Sequence, residues 1–183
     1  MTSERALFLK AFMAHPREMG SITPSSRYLT KRMLNRLPWD SMKSVVELGA
    51  GTGVFTEHIL EYKRDDCKFL AIEKNELLYR RLQVLYPAVL MGDDALKLAA
   101  ILQGYGMGAV DCIISALPFA LMTKEERQCL IAAISRSMND GGTFIMYQYS
   151  LQMRGLLKQY FRHVHISLEL RNFPPAFVYV CSK

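Results

Sequence analysis

Short apolar runs alternate with amphipathic stretches along most of this chain, which predicts alternating strands and helices. The apolar runs predict seven strands, at 44–48, 67–72, 88–91, 110–114, 143–149, 161–170 and 176–181. The amphipathic stretches predict helices at 53–62, 75–85, 94–103, 123–138 and 150–158, and Gly141-Gly142 is expected to break the chain before the fifth strand. Nearly continuous apolar strands separated by helices are typical of a parallel sheet that helices cover on both faces.

The region before the first predicted strand has a helical pattern. Residues 3–14 predict an amphipathic helix. A second predicted helix is capped by Ser25 or Ser26 and ends at Pro38, because proline lacks the backbone N–H that a helix interior needs. These helices are expected to form a cap beside the alternating part of the chain.

Length and composition indicate one globular domain. The chain has 183 residues, of which 50% are hydrophobic, enough to bury a sizeable core. We expect a single domain over residues 1–183, with a helical cap at 1–40 and the core of alternating strands and helices at 41–183. No apolar run approaches the roughly 20 residues that a membrane-spanning helix needs. The charged N-terminus also lacks the pattern of a signal peptide.

The cysteines and histidines suggest neither a metal site nor a disulfide framework. The four cysteines form no C-x-x-C pair: Cys67, Cys112, Cys129 and Cys181. We therefore expect reduced thiols in a cytosolic protein. His163 and His165 share one face of a predicted strand, but no further ligands accompany them. No metal ion is predicted.

The stretch from Glu47 to Gly53 carries the strongest chemical signal in the chain. It places an acid and three alternate glycines between an apolar and an amphipathic run, which predicts a strand, a tight turn and a helix. The dinucleotide fingerprint G-x-G-x-x-G fails here, because its third glycine would fall on Val54. A carboxylate before the first glycine repels a pyrophosphate but suits an ammonium group. E-x-G-x-G-x-G resembles motif I of class I S-adenosylmethionine (SAM) methyltransferases, which implies that Glu47, Gly49, Gly51 and Gly53 hold the methionyl part of SAM.

Two further acidic positions follow the second and third predicted strands. Glu73 ends the second strand, where an acid can accept hydrogen bonds from both ribose hydroxyls, and the adjacent Lys74 is assigned to the same site. In the G-D-A pattern of the same resemblance, the acid directly before Ala95 contacts the adenine amine. Asp94 is therefore preferred to Asp93, and Ala95 is included in the cofactor site. The alternative for either aspartate is to cap the following helix.

The segment Ser115-Ala-Leu-Pro-Phe119 follows the fourth strand, at the position of motif IV. In adenine and amide N-methyltransferases this motif reads [ND]-P-P-[YFW] or N-[LI]-P-[YF]. Its first side chain grips the amino group and its aromatic ring stacks on the base. Here the first position is Ser115, a weaker acceptor, which disfavours a planar nucleobase as substrate. The catalytic candidates are Ser115, Leu117, Phe119 and Tyr147, and Ser115 is also assigned to the cofactor site.

Aromatic side chains near the strand ends could surround a methylammonium group through cation–π contacts. The candidates for such a cage are Phe119, Tyr147, Tyr149 and Tyr179. For each of them, packing in the hydrophobic core is an equally good interpretation.

Three segments resemble the bacterial phospholipid N-methyltransferases. Residues 15–29 are similar to that family's N-terminal signature, N-P-x-x-x-G-S-I-x-P-S-S-x-x-L, and Ser21 within it is assigned to the cofactor site. Residues 115–119 are similar to the family's S-G-L-P motif, and residues 172–179 to its ending N-x-P-P-A-x-V-Y. Because these segments lie near both ends and in the middle, the resemblance covers essentially the whole chain.

The resemblance implies a Rossmann-like class I methyltransferase. This fold is a three-layer α/β sandwich with a mostly parallel seven-stranded sheet, a C-terminal antiparallel hairpin and N-terminal helices. The implied reaction uses SAM, releases S-adenosylhomocysteine and methylates the amine of phosphatidylethanolamine towards phosphatidylcholine. Ribosomal RNA adenine dimethylases share the architecture, so RNA methylation is one alternative, although their further helical domain has no counterpart here. A SAM-binding module without turnover is an alternative of another class.

Positive charge is concentrated near the N-terminus. The net charge is +6, and residues 1–43 hold eight basic and three acidic side chains. A basic amphipathic helix can lie in a membrane interface and favours anionic lipid, although the same helix could be a lid over the SAM site. We expect a cytoplasmic monomer, peripheral on the inner face of the membrane. Its expected partners are the phospholipid substrate and an anionic membrane surface, and nucleic acid is a less favoured partner.

Overall fold

The computed structural model describes residues 27–183, with the side chain of Arg27 excluded. The predicted helix at 3–14, the cofactor-site candidate Ser21 and the caps Ser25 and Ser26 therefore lie outside the described residues.

The described chain contains six helices and seven strands. The helices are α1 (Arg27–Leu34), α2 (Val54–Tyr62), α3 (Glu76–Leu85), α4 (Leu98–Gly104), α5 (Lys124–Arg136) and α6 (Arg154–Tyr160). The strands are β1 (Ser44–Leu48), β2 (Lys68–Ile72), β3 (Leu90–Gly92), β4 (Val110–Ser115), β5 (Met138–Gln148), β6 (His163–Glu169) and β7 (Ala176–Ser182). Short 3₁₀ turns at Ala95–Lys97 and Phe119–Leu121 follow β3 and β4.

The strands form one sheet in the order β3-β2-β1-β4-β5-β7-β6. The first five strands are parallel, and β7 runs antiparallel between β5 and β6. The predicted mostly parallel sheet with a C-terminal antiparallel hairpin is therefore confirmed. Leu48 at the end of β1 lies opposite Ile72 of β2 and Ser115 of β4. Because strand order reverses beside β1, the carboxyl ends of these strands form a crevice suited to a ligand.

Helices cover both faces of the sheet, which makes the three predicted layers. On one face, β-sheet residues such as Val46 and Leu48 pack with buried residues of α4, α5 and α6. On the other face, Val45 and its neighbours pack with buried residues of α1, α2 and α3. Adjacent strand residues point to opposite faces, so strands buried on both sides must be apolar at nearly every position.

The start of β5 differs from the prediction. The strand begins at Met138 and continues through Gly141-Gly142, where a break was predicted. The register shifts between the partners of Val110 and Cys112, and Gly141 has φ +79°, a left-handed conformation that suits glycine. A bulge therefore absorbs the glycine pair inside the strand.

The capping box that starts α5 is confirmed, since Thr123 and Glu126 each accept from the other's backbone N–H.

Within residues 27–183, the helices are all too short or too polar to cross a membrane.

Candidate active site

The loop from β1 to α2 is a tight turn built from three glycines in left-handed conformations. Gly49, Gly51 and Gly53 have φ values of +79°, +58° and +94°. The N–H groups of Gly49 and Ala50 donate to the carbonyl of Ile72 at 2.8 and 3.1 Å. The turn is thereby fixed to the end of β2, and the N-terminus of α2 points at the carboxyl edge of the sheet.

The three glycines meet different surroundings. A Cβ on Gly49 would lie 3.0 Å from Leu117 Cδ2, and one on Gly53 would lie 3.0 Å from Leu82 Cδ2. A Cβ on Gly51 would have the Gly49 carbonyl oxygen, at 4.0 Å, as its nearest neighbour. Gly49 and Gly53 therefore allow close packing inside the protein, whereas Gly51 leaves an open space over the loop.

Glu47 is a buried acid with one unused oxygen. Its side chain is at the end of β1 and the residue is 1% exposed. Thr56, in the first turn of α2, donates from Oγ1 to Oε2 at 2.6 Å, and Oε1 is buried without a hydrogen-bond partner among the described residues. Burial raises the pKa of Glu47 to about 7, against the lowering effect of the Thr56 hydrogen bond. The site is therefore suited to a cationic donor that would stabilise the ionised carboxylate.

Glu73 links the end of β2 to the glycine loop. Its Oε2 accepts from the N–H of Gly51 at 2.7 Å, and its Oε1 accepts from the N–H of Asn75 at 2.8 Å. Each carboxylate oxygen has a further lone pair. The hydrogen bond to Gly51 ties Glu73 to the open part of the loop, and its contact with a ribose stays a prediction.

The two aspartates after β3 have separate partners. Asp94 Oδ1 accepts from the N–H of Leu96 at 3.0 Å and caps the 3₁₀ turn, and Lys74 Nζ lies 3.4 Å from Asp94 Oδ2. Asp93 instead accepts from Lys97 Nζ at 2.8 Å. The capping alternative is therefore confirmed for Asp94. Its contact with adenine stays a prediction, and the neighbouring Ala95 is buried.

Ser115 closes the turn after β4. The residue is fully buried, and its Oγ accepts from the N–H of Leu117 at 3.3 Å. The residues Leu117-Pro118-Phe119 match the last three positions of the motif N-[LI]-P-[YF]. The asparagine position of that motif therefore falls on Ala116, and its assignment to Ser115 is wrong by one residue. The serine hydroxyl supports the turn, and the asparagine position has no side-chain acceptor.

The sheet separates the four candidate cage aromatics into two pairs. Phe119 and Tyr179 are fully buried in the core on the α4–α6 side, where the Tyr179 hydroxyl donates to the carbonyl of Ser150 at 2.8 Å. Tyr147 and Tyr149 lie on the other side, with ring centroids 5.9 Å apart in an edge-on arrangement. Core packing is thus the arrangement found for Phe119 and Tyr179, and a four-membered cage is not formed.

Tyr147 and Tyr149 face the helix that follows the glycine loop. The Tyr147 ring stacks on Phe55 of α2, with centroids 6.4 Å apart. Burial raises the pKa of Tyr149 to about 12. Tyr147 therefore lies beside the first turn of α2, from which Thr56 donates to Glu47.

Sequence reasoning missed Thr56 and Gln148. Thr56 orients Glu47, and its signal is a hydroxyl in the first turn of an otherwise apolar helix face. The Gln148 amide donates from Nε2 to the carbonyl of Leu117 at 3.0 Å, which joins β5 to the turn after β4. Its signal is a polar amide at the end of an otherwise apolar strand segment.

The loop between β6 and β7 lies at the same end of the sheet, where the parallel strands finish, and it carries a charged cluster. Glu169 is buried, and both its oxygens accept from the guanidinium of Arg171, each at 3.0 Å. Arg32 of α1 approaches Glu169 Oε2 at 3.4 Å. The guanidinium of Arg171 also lies 4.8 Å from the ring centroid of Tyr28. These contacts join α1 to the C-terminal hairpin. The hydrogen bonds from Arg171, together with the charges of Arg171 and Arg32, lower the pKa of Glu169 to about 2.

No protein-family model matches the chain. A curated relative, the ornithine lipid N-methyltransferase of Singulisphaera acidiphila, is 31% identical over 180 residues. The matched segment covers 96% of this chain and 94% of that protein. The similarity therefore spans nearly the full length of both.

Solved methyltransferase structures share the fold. The precorrin-6y C5,15-methyltransferase of Geobacter metallireducens aligns with a TM-score of 0.69 and 12% identity, over 90% of this chain and 92% of that one. The N-methyltransferase NodS of Bradyrhizobium japonicum aligns with a TM-score of 0.68 and 13% identity, over 84% of this chain and 93% of that one. The T. thermophilus 16S rRNA N2 G1207 methyltransferase, in complex with AdoMet and guanosine, aligns with a TM-score of 0.67 and 17% identity. The alignment covers 90% of this chain and 45% of that one. These likenesses confirm the class I methyltransferase fold predicted from the sequence.

Proposed function

We propose, since this chain belongs to the family of the ornithine lipid N-methyltransferase, that it transfers methyl groups from SAM to the primary amine of a membrane-lipid headgroup. Phosphatidylethanolamine, which the sequence motifs suggest, and ornithine lipid, the substrate named for the relative, both present such an amine. The full-length similarity to a lipid methyltransferase is the observation that carries the proposal.

The residues around the glycine loop fit SAM. Oε1 of Glu47 supplies the buried acceptor that the ammonium of the methionyl part would use, and the open space at Gly51 admits a ligand close to the backbone. Glu73 and Asp94, which end β2 and β3, would accept from the ribose hydroxyls and the adenine amine. This assignment gives each acidic side chain at the crevice a donor of matching chemistry.

The protein has to position the amine in its neutral form, so the headgroup ammonium must first release one proton to water before its lone pair can attack. When bound, SAM supplies an activated methyl group on a sulfonium. The remaining task of the chain is to align the amine lone pair and to keep water away. Tyr147 and Tyr149 offer ring faces that suit a methylammonium product. With its pKa raised to about 12, Tyr149 would donate a hydrogen bond rather than accept the amine's proton.

The positive charge before residue 44 supports a membrane as the place of reaction. Five of the six net charges belong to residues 1–43. Basic groups near an anionic leaflet contribute roughly 1 kcal/mol each, and salt screens them. We infer peripheral association with the inner face of the membrane, driven by this N-terminal region.

Lipid and RNA substrates can be compared directly with purified protein. The protein is incubated with labelled SAM and, separately, phosphatidylethanolamine, ornithine lipid and total RNA, with Glu47→Gln as the inactive control. We expect label in one or both lipids, and mono-, di- or trimethylated headgroups by mass spectrometry of lipids from expressing cells. Label in RNA with none in lipid would establish the alternative function instead.

A further inference from the structure

We propose that the loop at 170–175, between β6 and β7, docks the protein on a lipid surface, with Leu170 entering the bilayer interface and Arg171 facing lipid phosphates. The inference rests on the proposed lipid substrate. It adds a docking element within the folded core to the basic N-terminal region.

The loop lies at the edge of the sheet that carries the active site. Glu169, the last residue of β6, pairs with Ala176, the first residue of β7. Phe177 of β7 in turn pairs with Gln148, the last residue of β5. The connecting loop therefore emerges at the carboxyl end of β5, next to Gln148, which hydrogen-bonds the turn after β4. A surface bound through this loop would lie at the same end of the strands as the crevice.

Large apolar side chains are exposed at this edge. Leu170 is 70% exposed, and Phe173 in the same loop is 44% exposed. Leu168, near the end of β6, and Leu151, just after β5, are 41% and 46% exposed. Exposed leucines are ordinary on protein surfaces, and these four side chains are distinguished by their position around the edge that carries the proposed active site.

Arg171 adds a fixed positive charge between the apolar side chains of the loop. Two hydrogen bonds to Glu169 and the contact with the Tyr28 ring hold the guanidinium in place, yet the Arg171 side chain is 61% exposed. Arg32 shares the same carboxylate, so two guanidiniums surround one negative charge. The cluster therefore keeps a net positive charge that suits an anionic partner.

The loop is ordered by its own hydrogen bonds. The N–H of Arg171 donates to Glu169 Oε1 at 2.9 Å, and Asn172 Nδ2 donates to the carbonyl of Pro174 at 2.7 Å. Leu170 is thus presented outward by a fixed backbone, which lowers the entropy lost on docking. A leucine beside an anchored arginine matches a bilayer interface, where aliphatic groups reach acyl chains while guanidiniums remain near phosphates.

Insertion can be measured with an introduced tryptophan. Leu170→Trp is compared with Val84→Trp. Val84 is 81% exposed and lies in the last turn of α3, which precedes β3, the outermost strand on the side of the sheet away from β6. Both variants keep Trp39, so its signal cancels. With vesicles of phosphatidylethanolamine and phosphatidylglycerol that carry brominated acyl chains, we expect added quenching in Leu170→Trp and none in Val84→Trp. Equal quenching in the two variants would overturn the proposal.

Loss of the apolar group separates docking from catalysis. Leu170→Ser should weaken vesicle binding about fivefold and slow methylation of vesicle lipid in parallel, while methylation of detergent-dispersed lipid stays as in wild type. Val84→Ser should leave all three unchanged. If wild type methylates lipid but Leu170→Ser behaves like Val84→Ser, docking through this loop is wrong and the proposed function stands. If wild type methylates no lipid while Leu170→Trp is quenched, the proposed function fails and the docking surface stands.

A second copy of the chain is the other occupant to test. In that case the emission of Leu170→Trp would shift to shorter wavelength with rising protein concentration and no vesicles, which would overturn the membrane assignment.

Discussion

Thr56 donates a 2.6 Å hydrogen bond to Oε2 of Glu47 and leaves Oε1 as a buried acceptor without a partner among residues 27–183. The hydroxyl orients the carboxylate from the first turn of α2, and the other oxygen keeps its hydrogen-bonding capacity unused. Burial favours the protonated acid, whereas a bound cation would favour the carboxylate. Ligand binding and proton release at Glu47 are therefore expected to be coupled.

SAM affinity should rise with pH and level off above the pKa of Glu47. That pKa is raised to about 7, so binding an ammonium group at lower pH requires the acid to lose its proton first. Titration calorimetry at about pH 6 and about pH 8 should show an affinity roughly tenfold higher at the higher pH. Glu47→Gln should bind weakly with little pH dependence. Wild-type affinity that is constant over this range would contradict the predicted role of Glu47.

The ligand-free protein should lose stability through Glu47 as pH rises. The folded-state pKa of about 7 lies above the ordinary value of 4.5, so the folded state holds its proton longer than the unfolded chain. The contribution of Glu47 to the free energy of unfolding is complete below about pH 4.5 and is lost by about pH 7, which is a change of roughly 2–3 kcal/mol. Glu47→Gln should remove it. Denaturant unfolding of both proteins across this range isolates the difference, and parallel pH curves would contradict the prediction.

Thr56→Val should shift the pH dependence of SAM binding to higher pH. The substitution keeps the side-chain volume but removes the donor that lowers the pKa of Glu47. At about pH 7 we expect affinity to fall roughly threefold to tenfold, and to recover partly at higher pH. Thr56→Ser keeps the hydroxyl and serves as the matched control. A loss of affinity that is the same at every pH would indicate a packing effect instead.

Gly51→Ala and Gly53→Ala should separate ligand binding from stability. Both residues have positive φ, so either alanine costs about 1–2 kcal/mol of backbone strain. At Gly53 the new methyl would also lie 3.0 Å from Leu82 and 3.2 Å from Tyr86, which adds to the loss of stability. At Gly51 the methyl enters the open space over the loop and should reduce SAM affinity most. Unfolding and calorimetry on both variants test this, and equal SAM affinities would contradict it.

Glu169→Gln should weaken the junction between α1 and the C-terminal hairpin. The pKa of Glu169 is lowered to about 2, so its stabilisation is present above about pH 4.5 and is lost as pH falls towards 2. At neutral pH we expect a loss of roughly 1.5–3 kcal/mol, because charged hydrogen bonds to Arg171 and Arg32 are removed. Acid unfolding of the variant should lack this component. An acid transition identical to that of wild type would show that the cluster does not stabilise the junction.

The sequence by itself determined the order of elements and the position of the glycine loop. Both depend on local rules, namely the alternation of apolar runs with amphipathic stretches and the need for glycine at positive φ. The capping box of Thr123 and Glu126 is also local, because its partners lie within one helical turn. These features could be predicted because each one depends on residues that are neighbours along the chain.

Tertiary structure decided which side chains meet. Phe119 and Tyr147 both follow or lie in strands, but the sheet puts them on opposite sides, and a cage drawn from sequence could not show that separation. The bulge at Gly141 depends on pairing with β4, a strand about thirty residues earlier. The pKa of Glu47 and the exposure of Leu170 depend on what the folded chain packs around each residue. Burial is a property of the assembled layers, and no local pattern specifies it.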